Sequence, residues 1–247
     1  MPLLSVRREG VGPAFVWLHG FTQTGRSASR FRSILAESRE LWSPDLPGHG
    51  ESLARATSLE DCADVVATLL DGPTDLGGYS LGGRVALHVA LRHPSLVSRL
   101  VLLSATRGIE DVDERAARRA RDEALADHLE AVGVDVFLDE WLAQPLFADV
   151  PPDALERASR SSRASGLAAS LRCCGTGTQS WLGDQLASIA APTIALAGER
   201  DVKFVREAVA IGAGVKAGTV RVIADAGHAA HLVQPRTVAR LINDFLN

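Results

Sequence analysis

The sequence predicts an α/β fold: one mainly parallel sheet with helices on both faces and a helical cap inserted within it. Three observations predict this. Short apolar runs alternate with stretches of helical periodicity, the pattern left by parallel strands joined through helices. That alternation stops between Thr106 and Leu182, where only helical patterns remain. A serine framed by glycines stands between a strand pattern and a helix pattern in the first half of the chain. With 247 residues, 46% of them hydrophobic, the chain is long enough for one sizeable core, so residues 1–247 read as a single domain carrying a cap at 106–182.

In chain order, "AFVWLHG" reads as a buried strand running into a loop, and "ELWSPDLPGHG" as a shorter strand followed by a glycine–proline turn. "SLEDCADVVATLLDGP" reads as a helix. Ser58 caps it with Asp61 three residues on, Val65, Val66, Leu69 and Leu70 form its apolar face, and Gly72-Pro73 stops it. "TDLGGYS" is a short strand leading to the serine, and "RLVLLSA" is a continuous buried one. In the cap, "DVDERAARRARDEALADHLEAV" is a charged helix, "VDVFLDEWLAQPLF" carries aromatics at helical spacing, and "PPDALERASRSSRASGLAASLR" reads as helical with arginines. "PTIALAGERD" and "GTVRVIADAGH" then restore the strand-then-loop form, and "RTVARLINDFL" is an amphipathic closing helix.

The net charge of −4 argues against a dedicated nucleic-acid binder, which needs a basic face. No apolar stretch approaches a membrane span, and the apolar residues of "MPLLSVRREG" precede its arginines, the wrong order for a secretory signal. Cys62, Cys173 and Cys174 give neither a disulfide framework nor a zinc spacing. They read as packing residues of a reduced, cytoplasmic protein, with no metal or organic cofactor expected.

Gly78-Tyr79-Ser80-Leu81-Gly82 matches the G-x-S-x-G nucleophile elbow in the strand–turn–helix context that motif requires. The glycines let the chain turn sharply and lift the hydroxyl clear, while the Leu81 amide at the helix start points to where an oxyanion forms. A serine needs a base, and the base an orienting acid, in the order Ser, Asp or Glu, His. Asp201 follows the strand "TIALAGER" and His228 follows the next one. His231 and Asp225 are nearby rivals, with a solvated loop or helix end as their plain reading. In "WLHGF", the amide of Phe21 is the second oxyanion donor expected from an early loop. His49 in "DLPGHGES" reads as a structural hydrogen-bonder.

At these residues the chain resembles the α/β-hydrolase fold: "LHGF", "DLPGHG", "GYSLGGR", "GERD" and "GHAAH" stand in that fold's order. "GYSLGGRVAL", "ERAARRARDEALADHL", "FLDEWLAQPLF", "LRCCGTGTQS", "GERDVKF" and "AGHAAH" together resemble the MenH family, the 2-succinyl-6-hydroxy-2,4-cyclohexadiene-1-carboxylate synthases of menaquinone biosynthesis, from about Phe15 to the C-terminus. The resemblance implies a lyase that removes a proton and releases pyruvate. It implies Ser80, Asp201 and His228 as the triad and the Phe21 and Leu81 amides as oxyanion donors. Around the ligand it implies Tyr79, Arg84, Arg118, Trp141, Lys203 and one arginine before the "GLAASLR" segment, for which Arg160 is chosen over Arg163. The family often has asparagine where this chain has Ala229.

The implied partner is a small polyanionic carboxylate, not nucleic acid or a membrane, and a monomer is expected. Arg84, one turn beyond Ser80, falls on roughly the same side of its helix, and guanidinium grips carboxylates while keeping its charge. Arg115, Arg118 and Arg119 are expected to form one basic face closing over the site, although a solvated, ion-paired face is the alternative. Two other functions stay open: an ester or thioester hydrolase working through an acyl-serine, and a non-catalytic small-molecule receptor.

Overall fold

The computed structural model describes residues 3–247, and in it the apolar runs pair as a seven-stranded sheet. The strands are β1 (Val6–Glu9), β2 (Ala14–Leu18), β3 (Glu40–Pro44), β4 (Thr74–Tyr79), β5 (Val97–Leu103), β6 (Thr193–Gly198) and β7 (Gly218–Ile223), in spatial order β1-β3-β2-β4-β5-β6-β7. All neighbours are parallel except β1 against β3. Register places Trp17 beside Gly77, Gly78 beside Leu102 and Leu103 beside Leu196, so the strand ends converge at one edge.

Alternation along each strand feeds two cores. Val16, Leu18, Leu100, Leu102, Ala195 and Ala197 face one side. There they meet α2 (Leu59–Ala67), α3 (Leu81–Arg92) and α6 (Val202–Gly214). Phe15, Trp17, Val101, Leu103, Ile194 and Leu196 face the other, against α1 (Ser29–Leu35), α7 (Ala230–Val233) and α8 (Pro235–Leu246). Ser58 caps α2 as its sequence implies, its Oγ accepting from the Asp61 amide at 2.9 Å.

The segment between β5 and β6 leaves the sheet and forms its own small core, with Ala126, Leu129, Phe137, Leu167, Ala168 and Leu171 buried together. Helix α4 (Val112–Leu142) joins the two helical patterns read from sequence and kinks at Gly133, whose φ of +80° lies outside helical space. The stretch 151–172 differs from its helical reading. Only α5 (Ala164–Cys174) is α-helix, preceded by short 3-10 turns at Pro152–Leu155 and Arg157–Ser159. Glu156 sits in the left-handed region at φ +47° and Arg160 is extended at φ −88°, ψ 162°, so the helical path is broken before α5 begins. Among the described residues no helix is long and apolar enough to cross a membrane.

Candidate active site

The turn from β4 into α3 puts Ser80 at φ +52°, ψ −108°, a region a non-glycine residue enters at a cost of roughly 1–3 kcal/mol. The flanking glycines make the turn feasible. A Cβ on Gly78 would stand 2.3 Å from the Gly82 carbonyl carbon, and one on Gly82 would stand 2.2 Å from the Leu18 oxygen. The strained turn holds the hydroxyl above the sheet edge, where His228 Nε2 lies 3.0 Å from Ser80 Oγ. His228 Nδ1 lies 2.7 Å from Asp201 Oδ2.

Each partner of the serine is itself fixed. Asp201 is the N-cap of α6 and accepts from the Phe204 amide through its other oxygen at 3.4 Å. The Ser104 hydroxyl donates to the His228 carbonyl at 2.8 Å, and Asp149 accepts from the Gly227 amide. The Phe204 ring meets the imidazole edge-on with centroids 4.5 Å apart. The three side chains thus form a relay anchored on loops after β4, β6 and β7.

The loop after β2 is held just as firmly. His19 accepts from the Leu46 amide at 3.0 Å through Nε2, which leaves Nδ1 to donate to the Gly20 carbonyl at 2.8 Å. Burial pushes the His19 pKa down to about 4, so the ring is neutral and this tautomer is maintained. Gln23 Oε1 accepts from the Gly20 amide at 2.9 Å. Among the described residues the next amide, that of Phe21, makes no hydrogen bond. Leu81 opens α3, so its amide is one of the helix-start donors without an intrahelical acceptor.

A cavity of about 570 Å³ lies between this relay and the cap, and Ser80, Asp201 and His228 are in its wall. Arg84, Arg118, Arg121 and Lys203 line the same space. Arg84 is buried, and its Nη1 donates to the Cys174 carbonyl at 2.8 Å and to Gln179 Oε1 at 3.4 Å. Burial lowers its pKa to about 10, which leaves it charged at neutral pH. Arg118 is partly neutralised, with Nε 2.8 Å from Asp122 Oδ1. Among the described residues Arg84, Arg121 and Lys203 form no ion pair.

A side pocket of about 20 Å³ is lined by Tyr79, Ser80, Trp141, Phe147, Arg160 and His228 among others. Arg160 reaches it with Nη1 on Thr22 Oγ1 at 2.6 Å and Nε on the Leu155 carbonyl at 3.1 Å, its pKa lowered to about 10 by burial. Arg163 instead donates to the Ser52 carbonyl, away from the cavity. Trp141 belongs to both spaces: its ring packs edge-on to Phe21 at 5.1 Å, and its buried indole nitrogen has no partner among the described residues.

The structure departs from the sequence reading at Arg115, Arg119 and His231 and agrees with it at Asp225 and His49. Arg115 and Arg119 do not join Arg118 over the relay; they line a separate groove with Thr57, Ser58 and Arg172. The cavity face of α4 runs through Arg118, Arg121, Asp122 and Leu125, the i, i+3, i+4, i+7 set, and that spacing was the missed signal for Arg121. His231 is not at a solvated helix end. It is fully buried with its centroid 4.3 Å from Tyr79, and burial pushes its pKa down to about 3. Asp225 is exposed and paired with Arg200 at 3.0 Å. His49 is buried and neutral, its pKa pushed down to about 3 and its Nδ1 3.1 Å from the Pro47 carbonyl. Ala229, at the position where the resembled family often has asparagine, is completely buried.

Residues 15–241 match the alpha/beta hydrolase family. The chain is 33% identical over 247 residues to the 2-succinyl-6-hydroxy-2,4-cyclohexadiene-1-carboxylate synthase of Serratia proteamaculans, covering 96% of this chain and 94% of that relative. It is 31% identical over 255 residues to the protein of the same name from Yersinia pseudotuberculosis, covering 98% and 90%. MenH from S. aureus has a TM-score of 0.91 against it at 30% identity, covering 100% of this chain and 98% of that one. A thermophilic esterase from Thermogutta terrifontis with malate bound has a TM-score of 0.84 at 26% identity, covering 98% and 92%.

Proposed function

Because the chain belongs to the alpha/beta hydrolase family and, within it, to the 2-succinyl-6-hydroxy-2,4-cyclohexadiene-1-carboxylate synthases, we propose that it is the lyase that releases pyruvate from 2-succinyl-5-enolpyruvyl-6-hydroxy-3-cyclohexene-1-carboxylate in menaquinone biosynthesis. The observation that carries this reading is a serine relay opening into a cavity whose buried Arg84 has no carboxylate partner among the described residues. A tricarboxylate needs fixed cations, whereas a neutral ester gains nothing from them.

The chemistry follows from the order of groups. His228, oriented by Asp201, takes the Ser80 proton, and Ser80 Oγ removes a proton from the substrate ring. The released electron pair forms the second ring double bond as the carbon–oxygen bond to the enolpyruvyl group breaks. The departing enolate takes up a proton and leaves as pyruvate. Negative charge on a carboxylate or enolate oxygen is met by the Phe21 and Leu81 amides, each worth roughly 2.7–4 kcal/mol in a dry, preorganised site. Arg84, Arg118 and Arg160 hold the flanking carboxylates, with Tyr79, Trp141 and Lys203 around them, and positioning itself lowers the barrier. Elimination from a small polyanion by a chain with free cysteines fits the cytoplasm.

The test is to follow pyruvate release from the cyclohexene substrate and, separately, hydrolysis of a neutral nitrophenyl ester. Rapid pyruvate release is expected. Rapid ester cleavage without pyruvate release would make the chain an acyl-serine hydrolase.

A further inference from the structure

Gln179 lies on the segment that returns from the cap to the sheet, five residues after the end of α5, and it is 1% exposed. Its side chain spans two parts of the molecule. Oε1 accepts from Arg84 Nη1 at 3.4 Å, and Nε2 donates to the Thr106 carbonyl at 3.1 Å, on the loop that leaves β5 for the cap. Only this orientation of the amide satisfies both contacts, since guanidinium has donors alone and a carbonyl only acceptors. One side chain therefore ties together the departure of the cap, its return, and the cation on α3.

The choice of an amide there has an electrostatic consequence. Both groups that hold Arg84, the Cys174 carbonyl and Gln179, are neutral. They fix the direction of the guanidinium without cancelling its charge. Arg118 is the contrast, because Asp122 at 2.8 Å spends part of its charge internally. A glutamate at position 179 has nearly the same shape but would close an ion pair with Arg84 and leave two oxygens facing each other at Thr106.

We propose that Gln179 is a positioning residue, which aims Arg84 into the cavity with its charge uncompensated and links that aim to the seating of the cap. The proposal rests on the reading of the cavity as a carboxylate site. It does not depend on which bond the enzyme breaks.

The test is a double-mutant cycle between Q179E and R84Q. It is read as the calorimetric Kd of a dicarboxylate product analogue with an aromatic ring in place of the diene, alongside KM and kcat for pyruvate release. In the Arg84 background, Q179E is expected to weaken binding and raise KM by about tenfold, one lost charge contact, with kcat changed by less than about threefold. In the R84Q background only the direct repulsion between the new carboxylate and the ligand remains, and Q179E is expected to weaken binding there by no more than about threefold. The isosteric neutral Q179M, expected to weaken binding by about threefold in the same cycle, decides the matter where Q179E does not fold. Equal weakening in both backgrounds, or none in either, would overturn the proposal. Binding that follows the cycle without pyruvate release from the wild type would keep the proposal and remove the reaction.

Discussion

The relay and the cap solve opposite problems on the two sides of one cavity. On the sheet side, Ser80, His228 and Asp201 are locked by backbone turns and short hydrogen bonds, and each residue's role follows from its neighbours in sequence. On the cap side, α4 spreads Arg115, Arg118, Arg119 and Arg121 over roughly half its circumference, and the packing of the helix decides which of them line the cavity. On the proposed function, the relay supplies the proton transfer and the cations select the substrate on which it acts.

Four substitutions sharpen that division, taken from the largest effect to the smallest. Ser80→Ala is expected to cut pyruvate release by at least about a thousandfold while the dicarboxylate analogue still binds. Single-turnover kinetics with parallel calorimetry check both halves. Arg84→Gln acts on the other side, raising KM by about 30-fold with a smaller change in kcat, and an unaltered melting transition would show that the fold is intact.

The third concerns the acid limit of the body of the fold. Burial lowers the pKa values of His19 and His88 to about 4 and those of His49 and His231 to about 3. Below the ordinary histidine value of about 6.5 the unfolded chain takes up protons that the folded chain refuses. Stability is therefore fully present above pH 6.5 and is lost as pH falls toward 4. His231→Phe, which keeps a ring among Tyr79, Phe31 and Trp17, is expected to remove one histidine's share of that loss, about tenfold per pH unit in the folding equilibrium. Denaturant melts at pH 7 and pH 5 measure it.

The smallest effect is expected at Arg121, which lies with Arg118 and Lys203 both in the cavity wall and in the groove outside it. Arg121→Gln at this exposed mouth is expected to lower kcat/KM by about threefold and to flatten its dependence on salt. A salt series on both proteins checks it.

The same division describes what was legible in the sequence. The alternation of Phe15 and Trp17 with Val16 and Leu18 marked a strand buried on both faces, and the glycines about Ser80 marked its turn, because local geometry dictates both. β1 escaped notice because "VRRE" is a four-residue edge strand with its arginines exposed, and such strands carry no apolar signal. The helical reading of 151–172 holds only from Ala164, because Glu156 turns left-handed and Arg160 runs extended, backbone states that helical spacing does not announce. Helical spacing with the family likeness of the cap points to Arg115, Arg118 and Arg119 as the face over the site, yet 118, 121, 122 and 125 form the inward face. Gln179 had no local signature, because its meaning lies in contacts with residues 73 and 95 positions away.

The most direct test of the central claim compares kcat/KM for the cyclohexene tricarboxylate with that for a neutral nitrophenyl ester, in the wild type and in Arg84→Gln. The account predicts that the substitution lowers the first by at least about 30-fold and leaves the second within about twofold. A parallel fall in both, or no change in either, would contradict it.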